Sequence, residues 1–253
     1  MKIRLDKALV ERGLVASRER AQALILAGRV LVAEQRVEKP GTAVDVEAAF
    51  RIVGEDLKYV SRGGLKLEGA LKQWGIALEG RACVDVGAST GGFTDCMLQH
   101  GASTVLAVDT GYGQIAHKLR VDPRVTLMER CNARLLSLGE LTGKSSEAIS
   151  FMAMDVSFIS ATLVLPAVVG ALAPPGASWR GEAVILVKPQ FEAGRENVGK
   201  GGIVRDEAAR ELAIARVRER VVGLGGGEIE VIDSPITGVE GNREYLLHAW
   251  FGG

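Results

Sequence analysis

From residue 82 onward, short apolar runs alternate with helical stretches, and this limits the fold more than any other feature of the chain. The runs at 82–86, 104–109, 124–128, 148–155 and 183–188 are apolar along nearly their whole length. Strands without a polar face are buried on both sides, as in a mostly parallel sheet with helices above and below it. The last two runs, 229–232 and 244–250, have only a loop between them. With no helix to carry the chain across, they predict an antiparallel hairpin at one sheet edge. The expected fold class is α/β, a Rossmann-like sheet that is mostly parallel and ends in an antiparallel hairpin.

At 253 residues there is room for one large domain or two unequal ones. Hydrophobic residues make up 47% and charged residues 25%, which excludes disorder over most of the length. Lys+Arg and Asp+Glu both number 31, so a uniformly basic nucleic-acid binder is excluded, though a local basic patch is not. That patch lies at the start: residues 1–40 hold nine Lys/Arg against five Asp/Glu. No apolar run reaches the ~18 residues of a membrane span, and the charged opening Lys2-Ile3-Arg4-Leu5-Asp6-Lys7 is no signal peptide. The three cysteines, Cys83, Cys96 and Cys131, form no CxxC pair and read as core filler. This agrees with a cytoplasmic protein. His100, His117 and His248 share no spacing, so no metal site is expected.

The basic start has a readable order. Leu5, Leu9 and Val10 share a helical face, with Gly13 as a stop signal. Ser17 is placed to cap a second helix that Gly28 ends. Val30-Leu31-Val32, a second short extended stretch after a turn at Glu34-Gln35, and Thr42-Ala43-Val44-Asp45-Val46 read as short strands. Arg4-Leu5-Asp6, Gly13-Leu14-Val15-Ala16-Ser17-Arg18 and Ala27-Gly28-Arg29-Val30-Leu31-Val32 resemble the small α+β S4 RNA-binding domain. The resemblance implies RNA contact by Arg4, Arg18, Arg20 and Arg29, through phosphate neutralisation and recognition of shape. The expected organisation is an S4-like domain over 1–54, a linker over 55–61 and a larger domain over 62–253.

In the larger domain, Asp85-Val86-Gly87-Ala88-Ser89-Thr90-Gly91-Gly92-Phe93-Thr94 runs from a strand through a small-residue loop into a helix. That is a nucleotide cradle. Dinucleotide domains place a glycine where this chain has Ser89, so a ligand without a pyrophosphate is favoured. Asp109 ends the next strand, where a carboxylate can accept from both ribose hydroxyls of an adenosine. Asp155 and Lys188 end the fourth and fifth strands, where a parallel sheet places its chemistry. A lysine ending an apolar strand is seldom buried without a partner, and Asp155 is the expected one.

Ser61-Arg62-Gly63-Gly64-Leu65-Lys66-Leu67, the cradle, Met154-Asp155-Val156-Ser157-Phe158-Ile159, Val187-Lys188-Pro189-Gln190-Phe191-Glu192 and Gly241-Asn242-Arg243-Glu244-Tyr245 resemble the FtsJ-type ribose 2′-O-methyltransferases. With the S4-like segment in front, the whole chain resembles the hemolysin A (TlyA) family. The resemblance implies S-adenosylmethionine as methyl donor and a cytidine 2′-hydroxyl of ribosomal RNA as acceptor. It also implies a Lys-Asp-Lys-Glu tetrad of Lys66, Asp155, Lys188 and Glu244, with Glu240 a rival for Glu244. Lys188 is then the central base, neutral when it accepts a proton and crowded by Lys66, with Asp155 and Glu244 positioning the lysines. Cofactor contacts are expected from Asp85, Gly87, Ser89, Thr90, Gly91, Gly92, Phe93, Asp109, Asn132 and Asp155.

The glycine-rich stretch 192–205 reads as a mobile loop that orders on RNA, with Arg195, Lys200 and Arg205 as phosphate contacts beside Arg62. Asp206 is placed to cap a helix over 207–222. The partners expected are ribosomal RNA and ribosomal subunits, with no membrane and no required protein partner. The short ends lean toward 23S rRNA alone. Three other classes fit less well: a pseudouridine synthase has no use for the cradle, a non-catalytic assembly factor has no use for the tetrad, and a pore-forming hemolysin lacks an amphipathic inserting segment here.

Overall fold

The computed structural model describes residues 2–15, 17–26, 28–53, 58–238 and 241–252. The chain divides into two compact units, Met1–Asp56 and Leu57–Gly253.

In the small unit, β1 (Lys2–Arg4) leads directly into α1 (Leu5–Glu11), and α2 (Arg18–Leu26) follows. Three short strands come next: β2 (Val30–Val32), β3 (Gln35–Arg36) and β4 (Ala43–Asp45), with β5 (Phe50–Ile52) last. β1 pairs with β4, and β3-β2-β5 form a separate antiparallel sheet. Ser17 caps α2 as expected, accepting from the Arg20 amide at 3.2 Å. Leu5, Leu9, Leu24, Ile25 and Val30 form the core. Two strands, β1 and β5, were invisible in the sequence, because three residues are too few to show a period of two. The turn between β2 and β3 sits one residue earlier than expected. Ala33 and Glu34 take positive φ (48° and 64°), the twist a two-residue hairpin loop requires.

The larger unit is built on seven strands. α3 (Gly63–Trp74) precedes β6 (Ala82–Val86), α4 (Gly92–Gln99) and β7 (Thr104–Val108). α5 (His117–Arg120), β8 (Val125–Met128), β9 (Ile149–Met154) and α6 (Ala161–Leu172) follow. β10 (Gly181–Val187), α7 (Pro189–Glu192), α8 (Glu207–Gly223), β11 (Gly226–Asp233) and β12 (Tyr245–Phe251) complete it. The sheet order is β11-β12-β10-β9-β6-β7-β8. The five expected runs are its five parallel strands, and β12 runs antiparallel to both β10 and β11. Apolar side chains leave the sheet in both directions. Val84 and Val86 enter a core with α6 and α8, while Cys83 enters a second core with α3 and α4. Asp206 caps α8, accepting from the Ala208 amide at 3.3 Å.

The expected linker is shorter than 55–61. Tyr59 is 2% exposed, and the Val60 amide donates to Asp95 Oδ2 at 2.8 Å, so these residues pack into the larger unit. Positions 55–57 of that linker lie outside the described residues. α3 starts at Gly63, and Gly64 lies against the Tyr59 ring so closely that a Cβ there would collide with it. Gly64→Ala is expected to destabilise the larger unit by about 1–3 kcal/mol through overpacking. Gly143→Ala, at an exposed position where nothing lies within 4 Å of the added carbon, is the control that leaves stability unchanged. Urea unfolding of both variants measures the difference.

Candidate active site at the strand ends

The chain builds outward from β6 in one direction through β7 and β8, then returns to place β9 on the other side of β6. A crevice opens at the carboxyl ends of strands where the order reverses in this way. The two strand ends are fastened there. The Asp155 amide donates to the Val86 carbonyl at 2.9 Å. Gly87 has φ 89°, and a Cβ on it would collide with the Asp155 carbonyl, so only glycine lets the two chains approach.

A cleft of about 310 Å³ lies at this point, near the lower end of the ~300–1,000 Å³ range of small-molecule sites. Gly87, Ser89, Asp109, Asn132 and Asp155 line it. Asp109 ties the loops after β6 and β7 together: Oδ2 accepts from the Ser89 amide at 2.8 Å and Oδ1 from the Gly111 amide at 2.6 Å. Each carboxylate oxygen thereby uses one of its two lone pairs. Asn132 caps the 3-10 turn Ala133–Leu135, its side chain accepting from the Arg134 amide at 3.1 Å.

Five expected cofactor residues do not line the cleft. Asp85 is fully buried, and its Oδ2 accepts from the Thr94 amide (2.8 Å) and hydroxyl (2.6 Å), fixing the start of α4. The Thr90 carbonyl accepts from the Ala116 amide at 3.1 Å. Gly91 lies against Leu119, Gly92 lies against Ser61, and Phe93 is buried. Asp85, Gly91, Gly92 and Phe93 are buried, while Thr90 is exposed. The motif spelled out the loop as a whole and could not separate its cleft side from its packing side.

The tetrad residues form two ion pairs. Lys188 Nζ lies 2.5 Å from Asp155 Oδ1 and donates to Ser157 Oγ at 2.6 Å. Lys66 Nζ donates to Glu244 Oε2 at 2.5 Å, and both of these side chains are buried. The β10–β12 register pairs Val187 with Tyr245 and so brings Lys188 and Glu244 to the next facing positions. Each lysine has its own carboxylate. Ser157 is the partner that sequence reasoning missed, although it stands in the quoted segment two residues after Asp155. Glu240 lies outside the described residues.

The remaining basic candidates have partners of their own or are exposed. Arg4 and Arg18 both bond to Asp6, and Arg29 Nε donates to the Val53 carbonyl at 2.9 Å. Arg20 is half-buried. Arg62 is exposed and donates to the Thr237 carbonyl at 3.0 Å. Arg195, Lys200 and Arg205 are exposed. Buried Asn242 accepts from the Val204 amide at 3.0 Å and donates to the Gly202 carbonyl at 2.8 Å. Glu192, read as part of the loop, instead caps α6 by accepting from Ser160 Oγ (2.5 Å) and the Ala161 amide (2.6 Å). Burial raises its pKa against those two bonds. Arg134, exposed at the cleft, is a basic residue the sequence reading passed over. Among the described residues no group of three His, Cys, Asp or Glu side chains is placed to hold a metal, and no helix is long and apolar enough to cross a membrane.

Residues 59–251 match the FtsJ-like methyltransferase family, and residues 3–49 match the S4 domain. The chain belongs to the FtsJ-like methyltransferases. It is 45% identical over 96% of its length to the 16S/23S rRNA (cytidine-2′-O)-methyltransferase TlyA of Mycobacterium tuberculosis, covering 88% of that protein. A solved structure from Streptococcus thermophilus, named a candidate hemolysin, is 42% identical, with a TM-score of 0.74 over 99% of this chain and 88% of that one. An S-adenosylmethionine-dependent methyltransferase from Mesorhizobium loti shares the fold at 16% identity, with a TM-score of 0.51 over 73% of this chain and 97% of that one.

The methyl donor of the FtsJ-like domain is S-adenosylmethionine. The cleft fits it. Asp109 keeps acceptor capacity at the cleft, and the packing of Gly87 on the Asp155 carbonyl leaves the loop no side chain at its tightest point. Behind the cleft, burial pushes the Asp85 carboxyl up to about 7, and the charges of Asp155 and Asp109 add to the rise against the Thr94 bonds. An unfolded Asp loses its proton near pH 4. Between about 4 and 7 the folded chain therefore holds a proton that the unfolded chain has released, and this group's contribution to stability falls as pH rises. Asp85→Asn, which keeps the acceptor for Thr94, is expected to flatten this decline and to be the more stable form at pH 8. Thermal unfolding midpoints across pH 4–8, taken as variant minus wild type, check it.

Proposed function

We propose that this chain is an S-adenosylmethionine-dependent rRNA (cytidine-2′-O)-methyltransferase that works in the cytoplasm on ribosomal subunits, with 23S rRNA as its substrate. The supporting observation is the two ion pairs, Asp155–Lys188 beginning at the cleft and Glu244–Lys66 at the adjoining end of β12. The likeness to the Mycobacterium tuberculosis enzyme supports the same acceptor. Contacts of Arg62, Arg195, Lys200 and Arg205 with RNA phosphates belong to this reading.

When bound, S-adenosylmethionine supplies a sulfonium methyl that is already a strong electrophile. The protein has an oxygen to align and a proton to remove. As the ribose oxygen gains its bond to carbon, the 2′-hydroxyl proton must leave. Lys188 takes this role at its Nζ, as the base when neutral or as the cation beside the developing alkoxide. Asp155 and Ser157 fix the direction of that nitrogen. The buried Lys66–Glu244 pair holds the neighbouring end of β12.

Lys188→Ala is expected to lower methyl transfer by about 10²-fold or more while leaving cofactor affinity close to wild type. Calorimetric titration of the cofactor and single-turnover transfer measure the two quantities, and retained turnover would remove Lys188 from this role. The reading as a whole is tested by tritium transfer from labelled S-adenosylmethionine to isolated large and small ribosomal subunits, with mapping of alkali-resistant sites. Label on large-subunit cytidine riboses is expected. Label on both subunits would remove the restriction to 23S rRNA, and label on neither would overturn the function.

A further inference from the structure

In the small unit, one buried carboxylate serves four donors. Asp6 has no solvent-exposed surface. Its Oδ1 accepts from Arg4 Nε at 3.0 Å. Its Oδ2 accepts from Arg4 Nη2 at 2.9 Å, Arg18 Nε at 3.0 Å and Gln22 Nε2 at 3.0 Å. The two guanidiniums meet on one carboxylate, yet their side chains stay 52% and 51% exposed. Among the described residues, Arg4 Nη1 and both Nη atoms of Arg18 have no hydrogen-bond partner. Two cations around one anion leave a surplus of one positive charge at a site where fixed N–H groups remain at the surface. The Asp6 carboxyl is held well below the usual carboxylate range, chiefly by its hydrogen bonds from Arg4, so the anion persists at any working pH.

We infer that Asp6 is a positioning residue that sets Arg4 and Arg18 side by side as a two-armed clamp for a single RNA phosphodiester. The inference rests on the RNA reading above and adds to it the organising carboxylate and the unit recognised. Two free guanidiniums repel each other and lose rotamer freedom when they bind. With Asp6 between them, both costs are met on folding, and the outward N–H groups await an anion with several acceptor oxygens. A phosphodiester has that form, and binding it positions the RNA without reading its sequence. A link made only to join α1 to α2 has no need of a second exposed guanidinium.

The test is equilibrium binding of the full chain to a 23S rRNA transcript at several salt concentrations. Thermal unfolding of each variant checks that it folds. Arg18→Lys keeps the charge and loses the planar fork, so it is expected to weaken binding about tenfold, as much as Arg18→Ala. Arg18→Ala should also lower the salt slope by about one. Asp6→Asn adds one positive charge to the surface and is nevertheless expected to weaken binding about tenfold, with Arg18→Ala costing nothing further in its background. A surface acting through charge alone predicts the opposite: wild-type affinity for Arg18→Lys and tighter binding for Asp6→Asn. Either result overturns the clamp, and Arg18→Lys decides the matter if Asp6→Asn does not fold. Failure of the unaltered chain to bind the transcript would overturn the RNA reading itself, and the clamp with it.

Discussion

The active-site region depends on the junction between β6 and β9. The Asp155 amide bonds to Val86, and Gly87 lies on the Asp155 carbonyl. Backbone touches backbone here, and no side chain can stand between. The approach brings the cofactor-type loop and the first acid of the tetrad to one cleft, since Gly87 and Asp155 both line it. Asp155 then holds Lys188, which the β10–β12 register sets opposite Glu244. Each later element of the site is placed by the one before it.

Two buried polar features of the larger unit carry a desolvation cost. Lys66 and Glu244 are buried together, and a buried ion pair contributes little net stability against its desolvation cost. Losing one member is another matter, because it leaves an unpaired buried charge at a cost of about 3–5 kcal/mol. Asp85 shows a similar tension. It is buried at the centre of the sheet to fix the start of α4, and burial makes its charge costly. In both places the fold holds polar groups that a simple apolar core would exclude.

Much of the fold was legible, for identifiable reasons. The five parallel strands were visible because burial on both faces forces uninterrupted apolar runs, and the edge hairpin because no helix separates β11 from β12. Helix ends were visible where a cap carries the signal, as at Ser17 and Asp206. β1 and β5 were lost, being too short for a period. The linker was misjudged at Tyr59, whose burial comes from a glycine in the following helix. The loop 192–205 looked free because glycine is common in flexible chain, while the bonds that tie it come from Asn242, about forty residues away.

For the site, the sequence by itself determined which residues stand at strand ends: Asp109, Asp155 and Lys188 follow from where the apolar runs stop. It also fixed the charge surplus of the first forty residues. Only the tertiary structure decided the pairing. Beyond the expected Lys188–Asp155 pair, it matched Lys188 with Ser157, Lys66 with Glu244, and two arginines with one Asp6. It also withdrew Asp85 and Phe93 from the cleft. The reason is physical: apolar periodicity is a local property of consecutive residues, whereas a charge chooses its partner by distance in space, and Lys66 and Glu244 are 178 positions apart in the chain.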